Sequence, residues 1–453
     1  MEAAKEKEDM IRKVCRCAGF CLLFLLLPIN GMAADHHALS LHEAIAAALR
    51  NNPLIKTRGA EVAGAVEGEK ASKGELLPRL DAYTGYQRTS DPVVVVPIKG
   101  FNTTPPTFSR DHYQAGIAFS LPLYEGGRRW TRITAAELSK AIADQELTFS
   151  RQETIANVTN TFKQILSLQE LETAQQQSLD ALKKARDDVD RRLELGRAAP
   201  VDLMKMDAQV AREEQDLIHT REAARRSRQL LAALLGRNPA VLPAVAGKLS
   251  SDVPPLPEAD EETLAAMVEK RPDIRKTARE VELAAANVKL QRGYHFPDVA
   301  LTGDYGQRAG SGLNDSEEVW TAGVNVRFNV FNGGVISARV RQAEAGLAAA
   351  RERLRQQKLA AMTEIQQARS RMREADGKIA MALKTIQSAR ESYRIEELKY
   401  RTGAGTITDS LLAQAAWFQA EALKAEAVYE LEKAVVDYRL ATGVIEEGIG
   451  ENG

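Results

Sequence analysis

Between Val319 and Val330 the chain alternates strictly: Trp320, Ala322, Val324, Val326, Phe328 and Val330 fall on one side of an extended segment, and Thr321, Gly323, Asn325, Arg327 and Asn329 on the other. A period of two marks a strand that separates an apolar medium from a wet one. At FNGG the period changes, because Gly333 and Gly334 give the backbone freedom for a sharp turn. Beyond it Ile336, Val340, Ala343, Leu347, Ala350 and Leu354 step by fours and threes, the seam of a coiled coil. About seventy residues of this pattern, at ~1.5 Å each, reach ~105 Å, about three times the hydrocarbon core of a bilayer. A half-buried strand of a soluble sandwich would explain the alternation but not the length of the helix that follows it.

The same plan stands earlier in the chain. The spacing predicts a helix from Leu41 to Leu77, ended by Pro78, a strand at about 79–88, a Pro-, Val- and Thr-rich loop over 89–110, and a strand at about 112–123. In the latter Tyr113, Ala115, Ile117, Phe119 and Leu121 share one face. After YEGG come a long helix to Leu195, a break at Gly196 and a helix to Leu235, closed by Gly236. Residues 237–261, with Pro239, Pro243, Pro254, Pro255 and Pro257, read as a linker. The order then recurs: helix 262–296, Pro297, strands at about 298–308 and 319–330, helix from Gly334, break at Gly403, helix to Thr442. Pro53 and Pro272, like Pro78 and Pro297, lie 219 apart; Gly127 and Gly334, Gly196 and Gly403, Asp202 and Asp409, and Gly236 and Gly443 lie 207 apart. The longer first loop absorbs the difference. Ile133, Ala136, Ala143, Leu147, Val158, Ile165 and Leu168 occupy the registers of Val340, Ala343, Ala350, Leu354, Ile365, Met372 and Ala375, all apolar. The chain is therefore read as a first repeat over 34–236, a linker, a second repeat over 262–443 that copies the first, and a tail at 444–453.

At the N-terminus, Ala18 to Leu27 is an apolar run preceded by Arg12, Lys13 and Arg16 and followed by Pro28 and Gly31-Met32-Ala33-Ala34. This reads as a secretory signal peptide over 1–33, too short to span a membrane. Glu2, Glu6, Glu8 and Asp9 are foreign to such a leader and point to a translation start at Met10. The three cysteines, Cys15, Cys17 and Cys21, all lie within it, so no disulfide or thiol chemistry is expected of the exported chain. Lipid attachment would need a cysteine at the end of the apolar run, whereas Cys21 stands near its beginning.

The composition, 44% hydrophobic, 5% aromatic and 27% charged, suits long helices. A net charge of -1 gives no support to a nucleic-acid partner. His42-Glu43 lacks the second histidine of a zinc helix, and neither a serine-nucleophile elbow nor a phosphate loop is present; no enzyme activity and no cofactor are implied. Cleavage after Ala33 or Ala34 would leave His36 or His37 third in the mature chain, where an amine, two amides and an imidazole could hold Cu(II). Accidental surface histidines are the plainer reading, and no other metal site is suggested.

Four amphipathic strands of about ten residues have the length a membrane barrel requires, yet four leave edges that lipid cannot satisfy. Copies must close the barrel together. Two chains would supply eight strands and three would supply twelve, and a conducting pore favours three because eight enclose little more than side chains.

The leader, the duplicated helix-strand-strand-helix-helix plan, the helix-Pro-strand junctions, the LPLYEGG and FNVFNGG turns and the glycine breaks together resemble the TolC-like outer-membrane efflux proteins over essentially the whole mature chain. The resemblance implies a mainly α protein with membrane β: a homotrimeric twelve-stranded barrel in the outer membrane of a Gram-negative bacterium, continued by a long periplasmic α-helical barrel. It further implies the exit duct of a tripartite efflux system, served by a periplasmic membrane-fusion adaptor and an inner-membrane pump of RND, ABC or MFS type. A type I protein-secretion duct is the alternative within that class. A coiled-coil scaffold without a pore is the rival outside it, and the four alternating strands speak against it.

By the same resemblance the tips Gly196, Arg197, Ala198, Ala199, Pro200 and Gly403, Ala404, Gly405, Thr406 contact the adaptor. Asp409 would face the pore, where threefold symmetry gathers three carboxylates; its plain alternative is a helix-start carboxylate. Asp202 and Tyr400 match positions that hold the tip shut, although the arginine completing that lock is Gly405 here and the second gate aspartate is Leu412. Trp320, Val324, Val326, Phe328, Tyr113, Ile117 and Phe119 face lipid, and Asn325 and Arg327 face the lumen.

Overall fold

The computed structural model describes residues 38–95, 107–241, 243–250, 260–313 and 316–446. The expected leader, His36, His37 and residues 447–453 lie outside them. In chain order the elements are α1 (Leu41–Asn51), α2 (Pro53–Gly74), β1 (Arg79–Val94), β2 (Phe108–Glu125), α3 (Arg128–Glu194), α4 (Pro200–Leu234), α5 (Glu261–Lys270), α6 (Pro272–Gly293), β3 (Asp298–Ala309), β4 (Glu317–Arg327), α7 (Val335–Thr402) and α8 (Ile407–Ala441). Each half thus runs helix, helix, strand, strand, long helix, shorter helix.

The expected single helices 41–77 and 262–296 are each interrupted. A proline has no N–H for the preceding turn but suits the first position of a new helix, so Pro53 and Pro272 end one helix and start the next. The residue before each proline has a long-range task. Asn52 Nδ2 donates to the Leu234 carbonyl at 2.9 Å, and Arg271 Nη1 donates to the Ala441 carbonyl at 3.2 Å. Leu234 and Ala441 end α4 and α8, so different side chains at equivalent places close the same free carbonyl in the two repeats.

The sheet is antiparallel, in the order β1-β2-β3-β4. Residues paired directly across an antiparallel ladder share a face, so the register fixes both surfaces. Trp320 pairs with Tyr305, Tyr305 with Ile117, Val324 with Leu301, Phe119 with Leu80 and Tyr113 with Tyr86. This apolar face is open, with Trp320 68% and Val324 59% exposed. On the other face Asn325 Nδ2 donates to Thr302 Oγ1 at 2.6 Å, and Thr321 bonds to Asp304. β1 and β4 each have a partner on one side only.

The strand expected over 319–330 stops at Arg327. Asp298 is the last β3 residue paired, opposite Arg327, and the next position on that side is Pro297, which cannot donate. Phe328 and Val330 therefore leave the ladder, and Phe328 is not a strand residue. β1 runs on past Arg88, after an irregularity in register, to Val94, and β2 extends to Phe108 and Glu125.

α3 has 67 residues and α7 has 68, each followed by a helix of 35 that folds back along it. At ~1.5 Å per residue α3 and α7 reach ~100 Å. The matched apolar positions of the two seams are all buried or half-buried, and Val158, Ile165, Ile365 and Met372 are fully so. Midway along the long helices the short ones pack in the same manner: α1 through Ala44, Ile45 and Ala48 against Phe162 and Ile165, and α5 through Leu264 and Val268 against Ala361 and Ile365. Residues 243–250, expected to be linker, are held here too. Leu39 and Val245 form a parallel bridge, Val245 is buried, and Ser250 N donates to Glu432 Oε1 at 3.0 Å. Residues 243–250 are thus irregular in backbone but anchored to the helices.

Candidate functional site

The two hairpins reverse at the end of the long helices far from the sheet. α3 ends as Gly196 enters the left-handed region at φ 67°, with Gly196 N–H donating to the Leu193 carbonyl at 2.9 Å and Arg197 N–H to the Arg192 carbonyl at 2.7 Å. Pro200 then opens α4 at a position where the missing N–H costs nothing. α7 ends on Gly403 at φ 78°, and the Lys399 carbonyl accepts from Ala404 N–H at 2.8 Å and Gly405 N–H at 3.1 Å. That tight wrap requires the glycine at 405, since a Cβ there would stand 2.9 Å from Lys399 Cβ.

The reversals meet in one apolar cluster: Leu182 and Val189 of α3, Met206 of α4 and Ile407 of α8 are buried, with Ala198, Leu203, Tyr400 and Leu411 packed against them. Gly196, Arg197, Ala199, Pro200, Gly403, Ala404 and Thr406 are exposed, while Ala198 and Gly405 are half-buried. Leu195, Val201, Met204 and Leu412 form an exposed apolar rim around them.

Asp202 and Tyr400 are brought near one another, but no hydrogen bond joins them. Instead the Arg192 guanidinium lies over the Tyr400 ring, 5.4 Å from its centroid. Burial pushes the Tyr400 hydroxyl above the usual phenol range, with Arg192 opposing and Asp202 reinforcing the shift. A second link between hairpins is Lys205 Nζ, which donates to Thr408 Oγ1 at 2.8 Å. Asp409 is exposed in the first turn of α8, where Thr406 Oγ1 donates to Asp409 Oδ2 at 2.6 Å and accepts from Asp409 N–H at 3.2 Å. It therefore serves as a helix-start carboxylate within its own chain, bound to the N-cap.

Sequence reasoning missed Arg192, Lys205, Met206, Ile407 and Thr408. Leu182 and Val189, seven apart, and Leu203, Met206 and Val210, three and four apart, continue a heptad seam and could have been found. Arg192 and Lys205 are indistinguishable from the many exposed cations of these helices until the other hairpin is in place.

A family model described as outer membrane efflux protein matches residues 44–237 and 264–444. The chain is 22% identical over 437 residues to the outer membrane protein TolC of Vibrio cholerae serotype O1, covering 94% of this chain and 95% of that one. It is 23% identical over 439 residues to the proteases secretion protein PrtF of Dickeya chrysanthemi, covering 94% and 92%. The solved structure of the outer-membrane channel OprN superposes with a TM-score of 0.78 at 23% identity, over 89% of each chain, a likeness that speaks to the fold.

Proposed function

The chain belongs to the outer membrane efflux protein family, and from that membership we propose that it is the exit duct of a tripartite system, working as a homotrimer with a periplasmic adaptor and an inner-membrane pump. The observation that carries this reading is the sheet. Its apolar face is exposed across four strands and both of its edges are unpaired, a combination that lipid tolerates only when further strands close the ring. Three copies supply twelve strands, and the long hairpins continue the wall of the barrel as a tunnel.

Within this reading the tips are the adaptor contact. They are the reversals farthest from the barrel, and the rim of Leu195, Val201, Met204 and Leu412 offers apolar surface for a partner to cover. Arg192, Tyr400, Lys205 and Thr408 hold the two hairpins together there as the closed gate. Asp409, repeated by symmetry, gives the constriction its negative charge. Cargo is chosen by the pump: among the relatives, one is named for secretion of proteases.

Purified in detergent, the protein should have the mass of three chains by light scattering corrected for detergent, and should conduct ions in a planar bilayer. A stable monomer would overturn the proposed architecture. Leu195→Asp with Met204→Asp should abolish efflux while trimer and insertion persist. This pair is a cleaner test than substitution of Gly196 or Gly403, whose positive φ would strain any other residue.

A further inference from the structure

A cavity of about 760 Å³ lies between α3, α4 and α8, above the tip cluster and with walls from both hairpins. Leu182 and Leu411 belong both to its lining and to the cluster beneath Tyr400. Two polar atoms of lining residues are buried without a hydrogen-bond partner among the described residues: Gln175 Oε1 and Trp417 Nε1. Ser178 is only 1% exposed. Its hydroxyl turns to the Glu213 carboxyl, whereas an acceptor and a donor, each unsatisfied within one lining, are costly to leave dry and define what an occupant must offer.

The charges lining the cavity are unbalanced. Glu170, Glu213, Asp216 and Glu421 stand against Arg212 and Lys424, and none of the six is ion-paired among the described residues. Burial pushes the Glu213 carboxyl above the usual carboxylate range, opposed by its hydrogen bond with Ser178 and reinforced by the Asp216 charge, as expected of an acid that lacks a counter-charge. The indole of Trp417 is stacked with Tyr393, centroids 5.6 Å apart, and with Phe418 at 5.0 Å, while Arg390 approaches its ring at 6.0 Å. Its face is thus in use and its Nε1 is not.

We propose that this cavity binds an amphipathic organic cation. The ammonium sits between the Glu213 carboxylate and Gln175 Oε1, an apolar ring body lies against Phe418, Leu182 and Leu411, and an oxygen of the ligand accepts from Trp417 Nε1. The volume is that of a drug-sized site. The proposal does not depend on which cargo the duct carries. Because both hairpins contribute walls, an occupant braces one against the other just above the tip.

The test uses the full-length protein in a non-ionic detergent, with propranolol as the probe: a naphthyl ring, ether and hydroxyl oxygens, and a secondary ammonium. Its neutral counterpart, 3-(1-naphthyloxy)propane-1,2-diol, keeps the ring and the oxygens. Equilibrium dialysis against protein and against empty micelles should show saturable propranolol binding at one site per chain. Glu213→Gln should weaken it about tenfold or more, as expected for loss of a charge-assisted bond, and the diol should bind wild type as weakly. Trp417→Phe, which keeps a ring but removes the donor, should weaken it about threefold to tenfold and serves in place of Glu213→Gln should that variant fail to assemble. Absence of saturable binding to wild type, equal affinity for the diol, or unchanged affinity in an assembled Glu213→Gln or Trp417→Phe variant would overturn the proposal.

Discussion

The guanidinium of Arg192 in α3 lies over the ring of Tyr400 in α7, 5.4 Å from its centroid, so a cation of the first hairpin rests on an aromatic of the second. With its pKa raised by burial, the Tyr400 hydroxyl stays neutral, and Arg192 meets both the ring and the hydroxyl. Such a contact near the surface is worth ~0.5–1 kcal/mol, a factor of about two to five per chain in an open–closed equilibrium. Arg192→Gln should raise open time in planar bilayers by that factor per chain. Tyr400→Phe, which keeps the ring but loses the hydroxyl's contact with Arg192, should open more than wild type and less than Tyr400→Ala, which should match or exceed Arg192→Gln. If the Phe variant opened as readily as the Ala variant, the hydroxyl rather than the ring would be the holding group.

Asp409 has a local task and a proposed symmetric one, and two substitutions separate them. Thr406→Val removes the N-cap bond, costing ~1 kcal/mol of helix stability, and should leave ion selectivity unchanged. Asp409→Asn removes the charge and should lower cation selectivity and relieve block by multivalent cations added from the tip side. Reversal-potential measurements on both variants decide it, and equal selectivity in Asp409→Asn and wild type would confine Asp409 to its capping role.

The two faces of β4 make opposite demands. Val324→Arg would place a charge in lipid, costing ~2–4 kcal/mol at the bilayer midplane, and should reduce the yield of inserted protein sharply. Asn325→Arg, one residue on, lies on the polar face proposed to line the lumen and loses only its bond to Thr302; it should insert normally and shift conductance instead. Membrane fractionation followed by bilayer recording distinguishes the two.

Arg271 is 6% exposed and joins three elements: Asp273 at 2.9 Å in α6, Glu364 at 2.7 Å in α7 and the Ala441 carbonyl at 3.2 Å ending α8. Arg271→Asn leaves the Asp273 carboxylate buried and unpaired and should destabilise by ~3–5 kcal/mol. The first repeat carries Asn52 and Leu54 at the equivalent places, so Arg271→Asn with Asp273→Leu should recover most of the loss in calorimetry. Burial alone would raise the Asp273 carboxyl, but its bond to Arg271 overrides this and holds it below the usual range. A depressed folded value means stabilisation fully present above the ordinary aspartate pKa of ~3.9 and lost as pH falls through the lower folded one. The gap between wild type and Arg271→Asn should accordingly narrow in acid.

Much of this architecture is legible along the chain because it rests on short periods. Alternation places Trp320 and Val324 on one face and Asn325 on the other, and steps of three and four place Val158 and Ile365 in the seams. What is not legible depends on a partner distant in sequence. The end of β4 at Arg327 is set by Pro297 on the neighbouring strand, not by Phe328. Asn52 and Arg271 close equivalent helix ends with different side chains, which residue matching across the repeat cannot recognise. Asp202 lies close enough to Tyr400 to act on its hydroxyl, but the group that meets the ring is Arg192, one cation among many on a long helix.

The alternation in β1 to β4 also has a consequence for how the protein reaches its destination. Apolar residues come singly or in runs of a few, broken by polar ones, so the strands lack the unbroken run of about twenty that would arrest a spanning helix in a membrane the chain crosses. The greasy surface that ends with Trp320 and Val324 in β4 is dispersed among threonines, glycines and asparagines while the chain is extended, and becomes continuous only when the strands pair. Affinity of the sheet for lipid is acquired by folding rather than carried by any one strand, and the pairing that hides its backbone is the same event that commits it to the outer membrane.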